Sequence, residues 1–224
     1  NDRKVESWYA QGGGHGAYRN FSVTSVDGGV SWSDPKLEYE GPRAFLPLRD
    51  QQGETHLFPM IARQEGEGRR TIAVNFFIDI WHIKTRNGGT EWEPPKVIFE
   101  GYVGSINGVA QLSTGRIVLP FAEWLPDRKV GPPFGANVVT CVYSDDGGDT
   151  WRKSPSELTA PTYTDFNGSG YGACEPCIIE LKDGRVYMLA RTDAGCLYES
   201  YSPDGVDWEP LRPTEVLGTD APAG

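Results

Sequence analysis

Ser144-Asp145-Asp146-Gly147-Gly148-Asp149-Thr150-Trp151 reads as a tight loop between two strands. Ser and Asp side chains accept backbone N–H groups, Gly supplies positive φ, and Trp anchors the loop on apolar surface. The pattern returns as Ser25-Val26-Asp27-Gly28-Gly29-Val30-Ser31-Trp32, as Thr85-Arg86-Asn87-Gly88-Gly89-Thr90-Glu91-Trp92 and, one residue shorter, as Ser202-Pro203-Asp204-Gly205-Val206-Asp207-Trp208. The four tryptophans stand 60, 59 and 57 residues apart, so each interval is one structural unit. In the second copy Thr85 and Asn87 replace Ser and Asp, a change expected to keep comparable hydrogen-bonding groups.

Between the loops the chain reads as short strands. Residues 106–112, the turn Ser113-Thr114-Gly115-Arg116 and residues 117–121 form one expected hairpin. Residues 177–181, the turn Lys182-Asp183-Gly184-Arg185, residues 186–190 and residues 196–200 form three strands ahead of the fourth loop. With a last strand after each Trp, the unit is a four-stranded antiparallel sheet. Composition agrees with an all-β chain: 28 Gly and 17 Pro punctuate stretches rich in Val, Ile, Thr and aromatic residues, and no long segment has helical periodicity.

The formal net charge of −10 argues against the broad basic surface that nucleic acid demands. It would also repel an anionic sugar at long range, so binding one requires local arginines. The most apolar stretch, residues 72–83, is interrupted by Asn75, Asp79 and His82, and no membrane span is expected. The chain opens at Asn1 with no charged and apolar leader, as a processed, trimmed or fragmentary chain would. Cys141, Cys174, Cys177 and Cys196 are too few for a disulfide scaffold. Cys174 and Cys177 form a lone CxxC without a second pair, and His15, His56 and His82 lie far off in sequence, so buried thiols are expected rather than a metal site. No cofactor is implied.

The loop pattern SxDxGxxW resembles the Asp-box, or BNR repeat, of sialidases (neuraminidases) and related β-propellers; copies one and three match in full. The resemblance implies an all-β, sialidase-type propeller of four-stranded blades, and the family typically closes six blades, about 350 residues at this period. On that reading residues 1–224 are a single partial propeller domain of fewer than four blades, truncated at both ends, with the remaining blades supplied by sequence outside the chain. It also implies a carbohydrate or glycoconjugate substrate, and favours a secreted or periplasmic setting.

Sialidases hold the sugar carboxylate with three arginines, use an Asp as acid and base, and use a Tyr nucleophile beside a Glu. Glu175-Pro176-Cys177 through Tyr187-Met188-Leu189-Ala190-Arg191 resembles the family pattern in which Glu opens an inner strand and Arg closes the next. A hairpin brings those two ends together at one rim. Glu175 would then polarise the Tyr hydroxyl and Arg191 grip the carboxylate, although a structural ion pair across the hairpin fits the same spacing. The Tyr nucleophile and third arginine belong to later blades in the family. The Arg-Ile-Pro motif of its first arginine does not occur in this chain.

Where the family places its acid/base Asp, residues 11–20 contain neither Asp nor Glu; His15 is the one titrating candidate there, in a glycine-rich loop. Asn107 and Glu123 occupy places analogous to Glu175 and Arg191 one unit earlier and are candidate cleft residues, as is Trp124 with the Pro- and Gly-rich insertion of residues 125–137. Glu180 precedes a turn and is expected to be solvated. Asn20-Phe21-Ser22 and Asn167-Gly168-Ser169 match glycosylation sequons. The leading expectation is an exo-acting, retaining, sialidase-like glycoside hydrolase. The alternative is a non-catalytic propeller that binds glycans or proteins.

Overall fold

The computed structural model describes residues 4–12, 18–125, 137–162 and 171–215, and these form four antiparallel sheets in chain order. The first holds β1 (Val5–Gln11), β2 (Tyr18–Ser25) and β3 (Lys36–Gly41). The second holds β4 (Ala44–Arg49), β5 (Thr55–Gln64), β6 (Phe76–Arg86) and β7 (Glu91–Trp92), and β8 (Lys96–Phe99) also pairs with β6. The third runs through β9 (Ala110–Gln111), β10 (Ile117–Trp124), β11 (Asn137–Ser144) and β12 (Arg152–Lys153). The fourth runs through β13 (Ala173–Glu180), β14 (Val186–Thr192), β15 (Tyr198–Ser202) and β16 (Arg212–Pro213). These are the blades of a sialidase-type β-propeller: three complete, and three strands of another. No helix among the described residues is long and apolar enough to cross a membrane.

The third blade buries its middle strands, β10 and β11, on both faces. In β10, Ile117, Leu119 and Phe121 pack with Phe58 and Ile80 of the second blade, whereas Val118 and Ala122 pack with Val186, Met188 and Ala190 of the fourth. Period-two alternation therefore feeds two different cores, and the strand reads as continuously apolar. The strand expected over residues 106–112 shortens to β9. Ile106 and Leu112 are still buried, but a Cβ on Gly108 would lie 3.2 Å from the Cys177 backbone, so this stretch lies flat on the neighbouring blade instead of pairing in its own.

The repeated loops are built as their residues dictate. In the third, Gly148 N–H donates to Ser144 Oγ (2.8 Å), Thr150 N–H donates to Asp146 Oδ1 (2.9 Å), and the Trp151 indole N–H donates to the Gly148 carbonyl (3.2 Å). Burial pushes the Asp146 carboxyl up, but the bonds from Thr150 and Ser144 outweigh it and hold its pKa at about 2. Each later Trp packs on the blade before its own: Trp92 on Tyr39 (5.0 Å between rings) and Trp151 on Phe58 (5.7 Å). Trp208 joins the core between the third and fourth blades. Trp32, on the first sheet, is 44% exposed.

The second loop departs from expectation. Asn87 does not take over the Asp role; it sits at φ +55° and donates to Glu91 (3.1 Å). The work passes to Glu54, from the β4–β5 turn, which accepts from Gly88 N–H (2.9 Å), Gly89 N–H (3.2 Å) and Thr85 Oγ1 (2.7 Å). Glu54→Ala strips acceptors from three donors at once and is expected to lower stability by about 1–3 kcal/mol, measured as a shift of the urea midpoint. A cost no larger than an exposed Glu→Ala change elsewhere would mean that water replaces the carboxylate freely.

Smaller details follow for Glu180, for the sequon asparagine Asn20 and for the cysteines. Glu180 is not simply solvated: it accepts from Ser113 N–H and Ser113 Oγ, both at 2.7 Å, tying the fourth blade to the third. Asn20 is 1% exposed and its amide donates to the Tyr39 and Pro42 carbonyls (both 3.3 Å), so the folded protein offers no acceptor for glycosylation there. Asn167 lies outside the described residues. Of the cysteines, Cys141 is buried but Cys177 is exposed, because the bulged start of β13 turns it outward.

Candidate functional site

The hairpin of β13 and β14 does bring Glu175 beside Arg191, by a route that strand alternation alone does not give. Cα pairing runs Cys174 to Arg191 and then Cys177 to Leu189, so β13 carries one residue too many. Glu175 occupies that bulge at φ +50°, a left-handed conformation costly for a non-Gly residue, and it directly precedes Pro176. The kink aims its carboxylate across the strand end, where Oε1 accepts from Arg191 Nη1 at 3.1 Å.

Both side chains line a cavity of about 280 Å³ between the third and fourth blades. Its walls are Tyr102, Ala122, Trp124 and Tyr171, with Gly104, Ser105, Asn137 and Cys174 completing the lining. Tyr171 stands under the guanidinium, with its ring centroid 5.8 Å from Arg191 Cζ and its hydroxyl 3.5 Å from Nη2. Asn137 N–H donates to the Tyr171 carbonyl (3.0 Å), which joins β11 to this wall. Burial works against the Arg191 charge, but the bond and charge of Glu175 outweigh it and raise the pKa. Burial, reinforced by the Glu175 charge, pushes the Cys174 thiol up to about 12, which keeps it neutral. Among the described residues no group of three or more His, Cys, Asp or Glu converges to hold a metal ion. The pocket offers one fixed cation and its carboxylate partner in an aromatic frame, a chemistry suited to an acidic, ring-shaped ligand.

The other candidates are not gathered here. Glu123 points to the opposite face of β10 from Ala122 and Trp124 and pairs with Lys153 (3.1 Å). Asn107 is exposed, and its segment meets the cavity through Gly104 and Ser105 instead. His15 lies outside the described residues. Sequence reasoning passed over Tyr102 and Tyr171. Tyr171, four residues before Glu175, stands next to the deciding motif, but its role depends on the bulge.

Residues 43–221 match the BNR repeat-like domain. The chain belongs to the BNR repeat-like family. Among solved structures it is similar to a protein of unknown function from Dyadobacter fermentans (TM-score 0.62, 18% identity, 94% of this chain and 65% of that one). It is also similar to the NanB sialidase of Streptococcus pneumoniae (TM-score 0.58, 16% identity, 95% and 50%) and to a leech intramolecular trans-sialidase (TM-score 0.52, 15% identity, 95% and 49%). At these identities the likeness is one of fold. The BNR repeat-like chain spans between 49% and 65% of the length of these structures. A search of curated proteins finds no match.

Proposed function

We propose that the complete protein is a sialidase-like, exo-acting glycoside hydrolase with a retaining mechanism, acting on terminal acidic sugars of glycoconjugates. The observation that carries this reading is the Glu175–Arg191 pair, 3.1 Å apart at the mouth of an aromatic pocket and created by a strained bulge. Arg191 grips the sugar carboxylate, and Glu175 polarises the hydroxyl of a Tyr supplied by sequence outside this chain. Sialidases among its fold neighbours support the choice of substrate class.

The test is hydrolysis of a fluorogenic sialoside by the complete protein. Arg191→Ala is expected to lower kcat/KM by about a hundredfold or more, the loss typical of a charge-assisted contact to a carboxylate. Arg191→Lys is expected to recover little of it, because a point charge does not reproduce the guanidinium fork. Normal turnover by Arg191→Ala sinks the proposal. Sialoside binding without turnover by the wild-type protein points to a non-catalytic glycan-binding propeller instead.

A further inference from the structure

We propose that the seam between the second blade and the loop closing the third is an acid-opened latch worked by His56 and His82. The inference is independent of the sugar pocket. His56 on β5 and His82 on β6 are fully buried. Their rings meet edge to edge, 5.1 Å between centroids and 21° from coplanar, with His56 Nδ1 2.9 Å from His82 Nε2 and His56 Nε2 3.1 Å from Asp50 Oδ2. Trp151 from the third loop closes edge-on over His82 (5.1 Å), Phe58 stacks on it (5.2 Å), and Gly148 is pressed against both imidazoles.

Proton counting fixes the state of this chain. The Asp50 carboxylate accepts, so His56 Nε2 donates; a neutral His56 then accepts at Nδ1, and His82 Nε2 donates to it. His82 Nδ1 is left without a proton, and it is buried with no hydrogen-bond partner. A further proton would place a charge where nothing accepts it. The charged groups around the pair are Asp50 and Glu54 from the β4–β5 hairpin, Lys84 on β6 and Lys96 on β8, with Asp149 of the third loop held against Lys84. Burial lowers the pKa of His56 against the opposing pull of Asp50. At His82, burial, then His56 and the two lysines, all push the same way and bring the pKa to about 2.

The sign follows directly. The closed seam keeps both rings neutral, whereas the opened seam lets them titrate near 6.5. The latch is therefore fully closed above about pH 6.5 and weakens as pH falls. Each histidine multiplies the opening equilibrium by up to about tenfold per pH unit, and the two together by up to about a hundredfold.

The test is hydrogen exchange between pH 7.5 and 5, corrected for intrinsic exchange, with the fourth loop (residues 202–208), which has no histidines, as the internal control. Residues 78–84 and 144–151 are expected to lose protection by about ten- to a hundredfold per unit below pH 6.5, and the control segment is not. His82→Phe keeps a ring between Phe58 and Trp151 and is expected to cut the slope to about tenfold per unit at most. If that variant does not fold, ring-nitrogen NMR of the wild-type protein decides: both rings must stay neutral to pH 5, with His82 Nδ1 unprotonated. Exchange at the seam that ignores pH, or native-state titration of either ring near 6.5, overturns the proposal.

Discussion

Gly148→Ala is expected to lower stability by about 3 kcal/mol, and Gly147→Ala, one residue earlier, by only about 1 kcal/mol. Both glycines have positive φ, +64° at Gly147 and +83° at Gly148, so each substitution carries the cost of about 1–2 kcal/mol for an L side chain in left-handed backbone. The surroundings make the difference. A Cβ on Gly147 meets nothing within 4 Å, whereas one on Gly148 lies 2.7 Å from His82 Cε1 and 3.1 Å from His56 Cε1. Those rings cannot swing aside, being held between Phe58 and Trp151 and bonded on to Asp50. Overpacking of that kind adds about 1–3 kcal/mol. Urea unfolding of the two variants measures the contrast. Equal losses would show that the imidazoles yield and that backbone conformation alone sets the cost.

The same loop shows what a linear sequence reveals about this fold. Ser144, Asp146 and the Trp151 indole N–H bond within their own loop, so spacing alone predicted the loop's form, and the 57- to 60-residue period predicted the blades. Glu54 serving the second loop and the His56–His82 pair were invisible, because each joins residues some 26 to 35 positions apart through a register that only the folded sheet fixes. Glu175 and Arg191 were legible because a short hairpin has few ways to place its ends. Extending that logic by analogy does not bring Asn107 and Glu123 to the cavity, for a physical reason. β9 is only two residues long and starts after Asn107, and alternation along β10 sends Glu123 to Lys153 while Ala122 and Trp124 face the cavity. A residue at a matching point in a repeat shares a position in the blade, and its side chain shares a direction only if bulges and strand starts also match.

The bulge makes Glu175 the sharpest test of function against structure. A non-Gly residue at φ +50° ahead of Pro176 stores about 1–3 kcal/mol of strain, while its bond to Arg191, with the Glu side chain 35% exposed, returns under about 1 kcal/mol. Were the pair merely structural, a glycine would serve this position better than a glutamate. Glu175→Gly relieves the strain, loses the ion pair and adds chain entropy to the unfolded state, so these effects are expected to cancel to within about 1 kcal/mol. Sialoside hydrolysis by the complete protein is expected to fall by about a hundredfold or more, the scale of a lost general base. Glu175→Gln keeps the strain and the side-chain shape but not the charge, and is expected to lose activity to a similar extent with no recovery of stability. The opposite pattern, an unstable Glu175→Gly protein that still turns over sialoside, would assign the carboxylate to the architecture of the hairpin. A stable, inactive Glu175→Gly protein would mean that the bulge holds its strain for the sake of the pocket.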